Sequence, residues 1–300
     1  NNFEAGAFSE TTTASFSADM AIGATDGVSG AEAVQAVYGF QIDLNTSFTG
    51  EDSLDVSIDA GNGGNGLSEL DLNEGSSDDV LTVDGVSYTF PLGDKTTVFV
   101  GDNMDGSTLF STACVYGGPT NTLDDCGNAN SAIAVGLGSA AGASFDIGNG
   151  FTAAIGYEGS GSGTDGLLTK EGLDAYAAQL SYVADSYGVS ATYSNIESLT
   201  VAGRDNLWQD ETSYWGLNAY WTPSESGSMP SISVGYEMGD VSPGTNSATV
   251  DKDTTHYFVG LQWDEVGPGT FGTALGTTAH TVEDAPEYLM YEAFYSYPVN

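Results

Sequence analysis

Basic side chains are nearly missing from this chain: four Lys and Arg stand against forty-two Asp and Glu, a formal net charge of −38 over 300 residues. Phosphate binding needs clustered cations, so nucleic acid is excluded as a partner. A surface of this sign repels anions and gathers cations. The same shortage removes the Glu–Lys pairs that stabilise surface helices, while Gly, Ser, Thr, Asn and aromatic residues are plentiful, which favours an all-β chain. Histidine occurs only at His256 and His280, and no serine sits in a strand–turn–helix elbow, so catalysis finds no support. No run approaches the roughly 20 apolar residues of a membrane helix. A helical membrane protein is thereby excluded, and a barrel is not.

Cysteine is confined to one polar stretch, "ACVYGGPTNTLDDCGN", as Cys114 and Cys126. Metal sites normally take three or four ligands. Two cysteines in a turn-forming segment fit a disulfide that staples a loop, which places the chain in an oxidising compartment outside the cytoplasm. The chain opens "NNFEAG", with no methionine and no basic-then-apolar leader, as expected if a signal peptide, and with it an upstream domain, has been removed.

What is abundant is a period of two. In "TASFSADMAI", Ala14, Phe16, Ala18, Met20 and Ile22 oppose Ser15, Ser17 and Asp19; in "SLDVSIDA", Leu54, Val56, Ile58 and Ala60 oppose Asp55, Ser57 and Asp59. "AVYGFQIDLNTSF" alternates in the same way, and "DGVSYTFPLGD" and "KTTVFVGD" are weaker candidates joined by a turn near Gly93 and Asp94. The pattern returns from Phe151, Tyr176, Tyr187, Trp215, Ile232, Tyr257, Phe271 and Leu289, with a further strand expected to start near Ile133. About fourteen strands of membrane-spanning length are predicted.

Tyr and Trp repeatedly take the first or last apolar position of a strand while Ala, Val, Leu and Ile fill the middle, the pattern of a membrane barrel's aromatic girdles. A soluble β-sandwich or solenoid also alternates, but a sandwich core favours bulky branched residues where this chain has many alanines, and no short solenoid repeat occurs. Four connections, 61–79, 102–130, 158–172 and 239–254, are far longer than the others, as expected of a barrel with long loops at one rim.

The stretches "IDLNTSFTGEDSLDVSIDAGN", "YTFPLGDKTTVFVGD", "ACVYGGPTNTLDDCGNAN" and "GLLTKEGLDAYAAQLSY" resemble the barrel domain of cyanobacterial outer-membrane porins. That resemblance implies an all-β, transmembrane antiparallel β-barrel of about sixteen strands when complete, located in the outer membrane. It further implies an N-terminal surface-layer-homology domain, absent from this sequence, that tethers the barrel to the cell wall, and assembly as a homotrimer. The chain stops at "SYPVN" without a terminal aromatic, so one or two strands are expected beyond that end. The implied function is passive diffusion of small hydrophilic solutes and inorganic ions, with no cofactor and no resident metal. Iron-selective channels occur in the same family, although no Met, His or Cys cluster here marks a metal path. A structural or adhesive surface protein is the reading from another class.

Alternation puts Asp19, Asp43, Asp55, Asp59, Glu237, Asp264 and Glu292 on the polar face, where they would line the pore and favour cations. Porin loops commonly fold inward, which makes Asp124 and Asp125 candidates for a constriction; a plain surface or trimer-contact loop is the other reading. Lys95, Lys170, Arg204 and Lys252 fall mostly in expected loops, and His256 is expected at a strand's start, on the rim. "DNMDG" at 102–106 loosely suggests calcium ligands, but its spacing misses that of a calcium-binding helix–loop–helix.

Overall fold

The computed structural model describes residues 11–299 apart from 27–31, 63–66, 68–69, 71, 73–78, 122, 124–125, 127–137, 162–165, 170–171, 202–206, 225–227, 243–251, 278–280 and 283–285. It divides into two compact units, Asn1–Met104 and Asp105–Asn300.

The first unit is an antiparallel meander of β1 (Thr12–Gly23), β2 (Gln35–Thr46), β3 (Ser53–Gly61), β4 (Thr82–Pro91) and β5 (Thr96–Asp102), each paired with its neighbour in sequence. Its short connections, 47–52 and 92–95, lie at one edge of the sheet and its longer ones, 24–34 and 62–81, at the other. The turn expected near Gly93 and Asp94 is present: Leu92 N donates to Thr96 O at 2.7 Å, and Gly93 supplies a φ of +74° that other residues rarely adopt.

The second unit continues the same grammar with β6 (Ser139–Gly148), β7 (Phe151–Gly159), β8 (Asp174–Val183), β9 (Tyr187–Val201), β10 (Leu207–Trp221), β11 (Ser231–Ser242), β12 (Lys252–Val266), β13 (Gly269–Thr277), the two-residue β14 (Thr281–Val282) and β15 (Leu289–Ser296). Neighbours pair antiparallel throughout; β14 pairs with β12, and β13 goes on to β15. The expected start near Ile133 lies outside the described residues. The strand that is described, β6, escapes notice in the sequence because Ala, Gly and Ser occupy both of its faces and blur the alternation.

Burial is inverted relative to a water-soluble sheet. In β11, Ser231, Ser233, Gly235, Glu237 and Gly239 are buried, whereas Ile232, Val234, Tyr236 and Met238 are exposed. The apolar face of this unit carries two rows of rings. One row, at the short-turn edge, pairs Phe151 with Tyr182, Tyr187 with Trp221, and Phe271 with both Trp263 and Tyr295. The other pairs Tyr157 with Tyr176, Tyr193 with Trp215, and Tyr236 with Tyr257. Between them lie Ile155, Leu180, Val189, Leu217, Val234 and Val259. The rows are about 20 Å apart along each strand, on the scale of a bilayer's apolar core. In water such a face would be an aggregation site; in lipid it is the solvated surface.

Candidate functional site: a strap across the polar face

The described residues between Gly106 and Cys126 form a strap that crosses the polar face of the second unit, transverse to its strands, and the strands' own side chains hold it. Gly106 N donates to Glu158 Oε2 of β7 at 3.1 Å. Ser111 exchanges two bonds with Gln179 of β8, N to Oε1 at 2.7 Å and Nε2 to O at 2.9 Å. Asn218 of β10 donates to Thr112 O at 2.8 Å, and Val115 N donates to Ser233 Oγ of β11 at 3.1 Å. Gly117 N donates to Gln262 Oε1 of β12 at 3.1 Å, and Tyr116 OH donates to Glu292 Oε1 of β15 at 2.5 Å. A loop cannot form sheet bonds with strands it crosses at an angle, so mid-strand Gln, Asn, Ser and Glu satisfy its backbone instead.

Apolar contacts fix the depth. Tyr116, Leu123 and Cys126 pack with Phe258 and Ala274, flanked by Cys114, Met290 and Phe294, while Phe110 and Ile196 pack against Ala175 and Ala177. The Tyr116 ring centroid lies 5.4 Å from that of Phe258 and 5.7 Å, edge-on, from that of Phe294. Glycines make room for this layer: a Cβ at Gly235 would come within 2.4 Å of the Cys126 carbonyl oxygen, and one at Gly260 within 2.8 Å of the Tyr116 ring. The Cys114–Cys126 disulfide, with Cα atoms 5.8 Å apart, closes the point where the strap doubles back. Burial first, and the bond to Glu292 second, push the Tyr116 phenol above its ordinary value, so it stays a donor. Sequence spacing supplied the disulfide but not the strap's partners; their one local signal is a Gln, Asn or Ser beside glycines at a mid-strand polar position.

The expected pore-lining residues divide into two groups. Glu237 and Glu292 lie on the polar face but are buried, Glu292 being 8 % exposed with Oε2 enclosed and without a hydrogen-bond partner among the described residues. Asp264 is exposed on the same face and accepts from Gln262 Nε2 at 3.2 Å and Thr270 Oγ1 at 3.4 Å. In the first unit, Asp43 accepts from Ser15, Gln41 and Ser57 at 3.4, 2.8 and 2.7 Å, and Asp55 from Asn45 and Ser53, both at 2.6 Å. Asp59 is buried and accepts from Thr82 at 2.5 Å; Asp19 is half-buried on β1. Asp124 and Asp125 lie outside the described residues, as do Lys170, Arg204 and His280. Lys95 is exposed in the β4–β5 turn, and Lys252 is exposed at the start of β12.

One expectation is corrected. His256 does not open its strand at the rim: β12 begins at Lys252, and His256 is buried within it, Nδ1 lying 2.7 Å from Thr277 Oγ1 and the residue pairing with Glu237. The polar run "DKDTTH" conceals this, because its strand character comes from pairing with β11 rather than from apolar alternation.

No protein-family model matches the sequence, and no curated protein matches it. Among solved structures, the chain is similar to Pseudomonas putida OprB, at 10% identity over 92% of this chain and 76% of that one, TM-score 0.57. It is also similar to the outer-membrane channel DcaP of Acinetobacter baumannii, at 13% identity over 95% and 98% of the two chains, TM-score 0.50. A refined porin structure matches at 13% identity over 95% and 100%, TM-score 0.50. The fold is the all-β, antiparallel barrel fold of outer-membrane porins. At these identities the likeness concerns the fold.

Proposed function

We propose that this protein is an outer-membrane porin through which small hydrophilic solutes and inorganic ions diffuse passively, with a weak preference for cations. The observation that carries this reading is the inverted burial: polar side chains turned inward, an apolar face bounded by two aromatic rows turned outward. In this reading the apolar face meets lipid, the polar face borders an aqueous path, and the strap narrows that path. With four cations against forty-two carboxylates in the chain, the field in the path is negative and concentrates cations. The likeness to solved porins supports the outer membrane as its location, and the sequence resemblance supports three copies as its assembly and a cyanobacterial-type envelope with a cell-wall tether. Asp19, Asp43, Asp55 and Asp264 are the carboxylates assigned to the path; Asp59 is buried like Glu237 and Glu292 and is not.

The test is single-channel recording in a planar bilayer under a salt gradient. Discrete ohmic steps with a cation-favouring reversal potential are expected. Silence from folded, inserted protein would refute the reading in favour of a structural barrel.

A further inference from the structure

Of the polar-face carboxylates, Glu292 is used differently from Asp43, Asp55 and Asp264. It is nine-tenths buried beneath the strap, one oxygen taken by Tyr116 and the other enclosed in protein. The strap backbone presses directly upon it: a Cβ added at Gly118 would stand 2.0 Å from Glu292 Oε1. Tyr116 is in turn wedged between Phe258 and Phe294, so the phenol has one place to go and one acceptor waiting there. A charge so enclosed contributes little to an ion passing through water. It contributes a great deal to where the strap sits, because losing the partner of a buried carboxylate leaves it unsatisfied. Asp43 and Asp55 differ in exposure: each is only partly covered, and like Glu292 each accepts from neutral side chains, which orient a carboxylate without cancelling its charge.

We infer that Glu292 is a positioning residue, latching the strap through Tyr116, and that charge selectivity is set by the open carboxylates Asp43 and Asp55. The two tasks, waist geometry and ionic preference, are assigned to separate side chains of one chemical type. This rests on the porin reading for its selectivity half only; the latch stands on contacts alone.

The full chain, folded in detergent and inserted in planar bilayers, is compared as wild type, Tyr116→Phe, Glu292→Gln and Asp43→Asn/Asp55→Asn. Two readouts are taken: amide hydrogen exchange at Val115 and Gly117, and unitary conductance with reversal potential in a KCl gradient. Glu292→Gln keeps an acceptor for Tyr116 and removes only the charge, so exchange and reversal potential should both stay near wild type. Tyr116→Phe keeps the ring and removes the donor, so strap amides should exchange about tenfold faster or more, with larger or noisier conductance. Glu292→Met, similar in volume and lacking an acceptor, should give the same acceleration and serves if Tyr116→Phe does not fold. Asp43→Asn/Asp55→Asn should move the reversal potential toward zero with strap exchange unchanged.

A Glu292→Gln shift in reversal potential as large as that of the double variant would overturn the assignment. So would unaltered strap exchange in Tyr116→Phe and Glu292→Met. Absence of conductance in the wild type would instead defeat the porin reading, and the exchange data would still decide the latch.

Discussion

The polar faces of the two units share composition and differ in exposure. On β1–β3, carboxylates, hydroxyls and amides bond to one another within and across strands: Ser15, Gln41 and Ser57 converge on Asp43, and Asn45 and Ser53 on Asp55. On β7–β15, side chains of the same types bond to the backbone of the strap, over an apolar bed of Phe258, Ala274, Met290 and Phe294; in the first unit the apolar packing lies away from Asp43 and Asp55, where Val37, Leu67 and Leu72 cluster with Ala21 and Leu70. One alphabet of side chains therefore serves either as a partly exposed hydrogen-bonded row or as a docking surface. What separates the two uses is space: glycines at 235 and 260 admit a second layer of chain where a side chain would forbid it.

The largest way to break this contrast is to close that space. Gly260→Leu would drive a side chain into the Tyr116 ring, and Gly235→Val one into the Cys126 carbonyl. Either should lift the strap, giving a large increase in amide exchange from Val115 to Gly117 and a larger unitary conductance. Ser57→Val, a comparable substitution on the first unit's polar face, should leave strap exchange unchanged; equal effects from both sites would show that the strap is not seated as described.

A smaller effect is expected from the staple. Replacing Cys114 and Cys126 by serine frees the unfolded chain of a crosslink worth roughly 3 kcal/mol for a loop of this size. Resistance to denaturant should fall, and the return segment around Leu123 should lose protection. The bonds of Gly106 and Ser111, anchored on β7 and β8 ahead of the disulfide, should persist. Uniform loss of protection from Gly106 onward would mean that the disulfide, rather than the strands' side chains, holds the strap.

The smallest effect tests the first unit at its β2–β3 turn. There Asp52 accepts from Tyr88 OH at 2.6 Å, from the amides of Phe48 and Thr49 at 2.9 and 2.8 Å, and from the hydroxyls of Ser47 and Thr49. These bonds, that from Tyr88 foremost, hold its carboxyl well below the usual carboxylate range. A depressed folded-state pKa gives stability that is present above the unfolded value of about 4 and is lost as pH falls through the folded value. The amides of Phe48 and Thr49 should therefore keep their protection at pH values where an ordinary aspartate is already protonated. Asp52→Asn should abolish that acid resistance while leaving the strap untouched; an unchanged pH profile would rule out the carboxylate as the turn's organiser.

Legibility followed the range of the interaction. Strands with bulky apolar residues on one face, such as Tyr187, Val189, Ala191 and Tyr193, announce themselves because alternation is local and each strand carries it alone. β6 does not, since alanine and glycine distinguish its faces poorly, and the start of β12 does not, since pairing with β11 rather than hydropathy makes it a strand. Among candidate site residues, spacing placed Asp43, Asp55, Asp264 and Glu292 alike on the polar face. It could not separate Glu292 from the rest, because its difference lies in Tyr116, 176 positions away along the chain.

The sequence by itself determined the period of two, the aromatic ends of the strands, the excess of negative charge and the pairing of its only two cysteines. These are properties of neighbours along the chain or of composition, and need no third dimension. Only the tertiary structure decided which carboxylates are open and which are covered, and that the cysteine segment lies across the polar face of the second unit. Both depend on side chains from six strands meeting one segment of backbone, and on two glycines leaving room for it, coincidences of space that no local pattern encodes.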